Sequence, residues 1–124
     1  MRNRQVPRTE WHRFFADFNR RHEHELANVI LTAHNVGAQH LATDLPFEGF
    51  VADPLGARIS IALGGTAEAN IEHTIDAPTG VWVEHDDDGL EIAIEIESEH
   101  GEATILEFAA AARLGAHKPA GATA

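Results

Sequence analysis

Beyond residue 25 the chain keeps to a period of two and does not return to a helical one. Leu90, Ile92, Ile94 and Ile96 alternate with Glu91, Ala93, Glu95 and Glu97, which makes one oily face and one largely acidic face. The same alternation sets Ile59, Ile61 and Leu63 against Arg58, Ser60 and Ala62. It also sets Ala67, Ala69, Ile71, His73 and Ile75 against Glu68, Asn70, Glu72 and Thr74. Phe47, Gly49 and Val51 alternate with Glu48, Phe50 and Ala52. Leu26 to Ala33 is a mostly apolar run, suited to a strand buried on both faces. Gln39 to Thr43 reads as a short strand ending at Leu45-Pro46. Val81 and Val83 open another, and Thr104, Leu106 and Phe108 close the series. Asp53-Pro54-Leu55-Gly56 has the residue order of a β-turn, and Asp86-Asp87-Asp88-Gly89 that of a hairpin turn. With no helix between these short strands, a parallel βαβ sheet is excluded.

One helix precedes the strands. Trp11, Phe14, Phe15 and Phe18 fall at i, i+3, i+4 and i+7, the spacing of one helical face, and hold four of the eight aromatic side chains. Pro7 near the start and Thr9 as N-cap predict a helix over 9–21, with its aromatic stripe plugged into the core. The expected fold is mainly β, in the α+β sense: an N-terminal helix packed on a small antiparallel β-barrel or sandwich. The stretch Gly49 to Ile61 looks like the opening of SH3- and Sm-type small barrels. Residues 1–8 read as a basic arm, 9–110 as a single domain, and the Ala-, Gly- and Thr-rich 111–124 as a disordered tail.

The chain has 124 residues and a formal net charge of −11. The charge is segregated. Residues 1–21 carry six arginines against Glu10 and Asp17, whereas residues 22–112 carry Arg58 alone against eighteen acids. Such a body repels phosphate backbones and argues against duplex nucleic acid as a partner. No apolar run reaches the roughly 20 residues of a membrane span, and the arginine-rich start lacks a signal peptide's apolar stretch, so a cytoplasmic location is expected. The basic segment could lie across the acidic face of its own domain or of a neighbour.

Chemistry is scarce. Cysteine and tyrosine are absent, Ser60 and Ser98 are the two serines, and the single lysine is Lys118. Thiolate metal sites, cysteine nucleophiles, a G-x-S-x-G elbow and a glycine-rich phosphate loop are thereby excluded. Nine histidines are the one surplus. His22 and His24 share a face if the segment is extended. Together with His73 and His85, and with Glu23 and Glu25 nearby, they are the candidate metal ligands. The glutamate and glycines that a cupin-type set needs do not follow His24. His73 lies in the apolar row of its strand and reads better as a hydrogen-bonded rim residue. Asp86 to Asp88 lack the twelve-residue spread of an EF-hand loop, and Glu91, Glu95 and Glu97 on a solvated strand face lack the apolar surroundings of an acid catalyst. No catalytic residue, cofactor or metal is therefore assigned.

Several stretches resemble a small uncharacterised bacterial family, the domain of unknown function numbered fifty-three thirty-five. They are Val6-Pro7-Arg8 with Glu10-Trp11 and Phe14-Phe15, Arg21-His22-Glu23, Gly37-Ala38-Gln39, Leu45-Pro46-Phe47-Glu48-Gly49 and Ile59 to Gly64. His73-Thr74-Ile75 with Ala77-Pro78-Thr79, Asp88-Gly89, Glu95 to Ser98 and Thr104 to Phe108 complete the match. His24-Glu25 depart from the aromatic expected soon after His22. The resemblance implies no activity. The expectation is a non-enzymatic module that binds a partner protein or itself. The alternatives are a ligand- or metal-binding barrel, with or without enzymatic activity, using the clustered histidines, and an RNA-binding module using the N-terminal arginines.

Overall fold

The computed structural model describes residues 2–34 and 37–110. The tail at 111–124 lies outside the described residues. Strand β1 spans Arg2–Val6, followed by a short 3-10 turn at Arg8–Glu10 and helix α1 at Trp11–His22. Seven strands follow: β2 Leu26–Ala33, β3 Gly37–Ala52, β4 Arg58–Leu63, β5 Ile71–Asp76, β6 Pro78–His85, β7 Glu91–Ser98 and β8 Glu102–Phe108. All pair antiparallel in one eight-stranded sheet of order β1-β6-β7-β8-β2-β3-β4-β5. The class is mainly β with one α-helix.

Three expectations change. The sheet is not closed into a barrel: β1 and β5 are its two ends, and no pairing joins them among the described residues. The basic segment 1–8 is not an arm apart from the domain. It supplies β1, which pairs with β6 from Arg2 opposite His85 to Val6 opposite Val81. The two short segments expected at Gln39–Thr43 and Phe47–Ala52 are one sixteen-residue strand, β3. Its first part pairs with β2 and its second with β4, so β3 links the two parts of the sheet.

The face assignments along β3 also change. Its register shifts between Phe47 and Gly49, so Phe47, Phe50 and Ala52 all point into the core and Val51 points out. Asn19 on α1 fixes this shift. Its Oδ1 accepts from the Phe50 N–H at 2.9 Å and its Nδ2 donates to the Phe50 carbonyl at 2.8 Å, as a neighbouring strand would. A Cβ on Gly49 would stand 3.2 Å from the Asn19 carboxamide, so a side chain there would press on the group that bonds Phe50.

The aromatic stripe meets the core as expected. Trp11, Phe15 and Phe18 are buried. Phe15 stacks on Phe50 at 4.6 Å, and Phe18 lies within 6 Å of Phe47, Phe50 and Phe108. Trp11 donates its indole N–H to the Val6 carbonyl at 3.0 Å, which joins the helix to β1. Arg8 acts as a clasp. Its guanidinium lies 4.3 Å from the Trp11 ring and donates to the carbonyls of Gly56, in the β3–β4 connection, and Pro78, the first residue of β6.

Because Phe15 is buried and ring-stacked, Phe15→Ala removes its apolar contact and leaves a cavity, at a cost of about 3–5 kcal/mol. Urea denaturation of the two proteins measures this; a difference under about 1 kcal/mol would contradict the packing described.

Candidate interaction surface and the histidine positions

Helix α1 and the β3–β4 turn stand side by side and leave two adjoining hollows. The larger, about 320 Å³, is lined by Arg8, Thr9, Trp11 and His12 on one side and by Asp53 to Gly56 on the other. The smaller, about 170 Å³, runs on from His12 along Phe15, Ala16 and Asn19, facing Phe50, Val51 and Ala52. Two of the four exposed large apolar side chains among the described residues border them: Leu55, 89% exposed, and Val51, 71% exposed. Local chemistry explains both. The Asp53 carboxylate accepts from the Leu55 N–H at 2.9 Å, and Gly56 N–H donates to the Asp53 carbonyl, so the turn projects Leu55 from its tip. Val51 faces outward because of the register shift at Gly49.

Arg8 and Asp53, one charge of each sign, line the larger hollow. Sequence reasoning missed this surface. A leucine at the third position of a Pro-Gly turn was the one signal available.

The candidate histidines do not come together. Among the described residues, no three His, Asp or Glu side chains form a group able to hold a metal. His22 is the last residue of α1 and His24 has φ +70 in the turn after it, so the two do not share a face of an extended segment. His24 is exposed, with its Nε2 3.6 Å from a Glu23 carboxylate oxygen. His85 ends β6 and borders a hollow with Asn3, Arg4 and Gly89. His73, on the inward face of β5, has its Nε2 3.4 Å from Thr104 Oγ1 on β8. It lines a hollow of about 100 Å³ with residues that include Ser98, His100 and Glu102. Burial lowers the His73 pKa, against the opposing charge of Glu102.

His22 has a structural role that its sequence position did not reveal. Its ring stacks on Phe108 and lies tilted against Phe18, each at 4.5 Å between centroids. Nδ1 lies 2.8 Å from Glu25 Oε2, and Nε2 lies 2.8 Å from Glu91 Oε1. Ionised carboxylates only accept, so both contacts are hydrogen bonds when the ring is an imidazolium. Arg21 adds a two-pronged pair to Glu91 at 3.0 and 2.8 Å. Glu91, expected on a solvated face, thus ties the C-terminal end of α1 to β7, where cationic residues also suit the helix dipole. Burial alone would lower the His22 pKa, but the bonds to Glu91 and Glu25 outweigh it and the net shift is upward. Burial alone would raise that of Glu91, but His22 and Arg21 bring it down. The acidic turn is equally ordinary: Asp86 Oδ1 accepts from the Asp88 and Leu90 N–H groups, each at 2.9 Å.

Among the described residues, the N-terminal arginines meet rings and carbonyls as well as carboxylates. Arg4 lies 5.7 Å from the Phe14 ring, and Arg8 serves Trp11 and two carbonyls. Arg20 pairs with Asp17, and Arg58 with Asp76 at 3.0 Å.

The fold is a helix-buttressed, open antiparallel sheet with a partly apolar groove beside α1. The chain belongs to the family of unknown function DUF5335, whose model matches residues 2–117. No curated protein and no solved structure shows a significant match to the chain. Among the described residues, no helix is long and apolar enough to cross a membrane.

The His22 linkage has a definite sign. A raised imidazole pKa contributes stability that is complete below the unfolded value, near 6.5, and is lost as pH rises through the folded value. The wild type should therefore exceed His22→Gln in urea midpoint by more at pH 5.5 than at pH 8.5. His73, whose shift is opposite, is common to both proteins and cancels in the comparison. An advantage that grows with pH would contradict the bonding scheme.

Proposed function

We propose that this protein is a non-enzymatic cytoplasmic interaction module that works by self-association. The observation that carries the reading is the placement of Leu55 and Val51 beside the hollows between α1 and the β3–β4 turn. Apolar side chains exposed together at a concavity lose water contact when a partner covers them, and that burial is the driving force of association. The finer architecture belongs to the same proposal. The one strand shared between the two parts of the sheet supports kinship with SH3- and Sm-type small barrels, in an opened form.

The other readings have less support. The hollow at His73 measures about 100 Å³, against the several hundred of usual small-molecule sites. RNA binding through the N-terminal arginines would compete with the ring and carbonyl contacts of Arg4 and Arg8.

Sedimentation equilibrium tests the reading. The chain mass is 13.5 kDa. The expected result is a weight-average mass that rises above this value with concentration in the micromolar range. A mass that stays at one chain up to millimolar concentration would contradict the proposal.

A further inference from the structure

We infer that two copies pair about a two-fold axis, with Leu55 of each seated in the partner's larger hollow beside Trp11 and His12. This rests on the self-association reading and specifies its geometry. Three observations lead to it.

The first is self-complementarity. A two-fold interface places the same patch on both partners, so the patch must carry both the projection and its receptor. Here both lie on one face. Leu55 projects at 89% exposure from the turn, and the neighbouring hollow of about 320 Å³ has room for a leucine side chain. Leu90 is also exposed, at 64%, but it follows the acidic Asp86–Gly89 turn, among like charges that would face a second copy.

The second is charge. Residues 22–112 hold eighteen acids against one arginine, so two copies repel over most of their surface. The larger hollow is lined by one charge of each sign, Arg8 and Asp53. A second acidic chain approaches most cheaply where that balance holds. A strongly basic partner would be drawn to the acidic body instead.

The third is the rigidity of the receptor. Arg8 is bonded to Gly56 and Pro78 and lies over Trp11, which is itself bonded to Val6. The hollow is thus formed before a partner arrives, which reduces the ordering cost of binding.

The chain has no cysteine, so introduced cysteines report the contact without background. Leu55→Cys and His12→Cys proteins, mixed under mild oxidation, are expected to give the mixed disulfide dimer in high yield. Leu90→Cys mixed with His12→Cys serves as the comparison and is expected to give at least ten-fold less. In parallel, Leu55→Asp is expected to weaken dimerisation at least ten-fold by sedimentation while its circular dichroism and melting temperature stay near wild type. If the wild type associates, yet the Leu55–His12 yield equals that of the comparison and Leu55→Asp still dimerises, the geometry is wrong and self-association stands. If the wild type does not associate at all, both fail. A higher-order series in sedimentation, in place of a dimer limit, would overturn the two-fold arrangement.

Discussion

The docking of α1 across β3 is the constraint on which the rest of the molecule depends. Asn19 takes the place of a strand beside Phe50, and the rings of Phe15 and Phe18 pack onto Phe50, Phe47 and Phe108. These contacts hold β3 in the register that brings both Phe47 and Phe50 inward. They do so where β3 passes from pairing with β2 to pairing with β4, the joint of an otherwise continuous sheet. Two further ties hold the ends of the helix: Trp11 to Val6 near its start and the His22–Glu91–Arg21 cluster at its finish. One short helix thereby touches β1, β3, β7 and β8 of the open sheet.

Much of this is legible in the sequence, and the parts that are not share a cause. The stripe Trp11, Phe14, Phe15, Phe18 and the alternation from Ile92 to Ile96 are local signals, and each lies in the element they predict, whereas Leu90 falls before β7 and is exposed. Phe14 alone of the four stays partly exposed, beneath Arg4. What escapes is set by distant partners. Arg2 to Val6 carries no strand pattern of its own and becomes β1 because β6 offers an edge. Val51 sits on the wrong face in a strict period-two reading, because the register shift beside it is fixed by Asn19, 31 residues away in sequence. His22 finds its partner 69 residues on, in a glutamate that strand alternation assigns to solvent. The groove beside Leu55 inherits this difficulty, since it depends on both the shift and the helix.

The charge layout follows from the same geometry. Arg4, Arg8 and Arg21 stand at seams of the fold, in contact with rings, carbonyls and Glu91. Residues 22–112 stay strongly acidic, while the hollow between α1 and the β3–β4 turn is lined by one charge of each sign, Arg8 and Asp53. An acidic protein that keeps a neutral, partly apolar face has one direction in which its own kind meets little repulsion.

Hydrogen–deuterium exchange followed as a function of protein concentration tests this account most directly. Association through the α1 face predicts added protection confined to the amides of residues 8–16 and 50–57 as concentration rises, with β5 and the 86–90 turn unchanged. Protection that appears instead along β5 or β1, the ends of the sheet, or no change at any concentration, would contradict it.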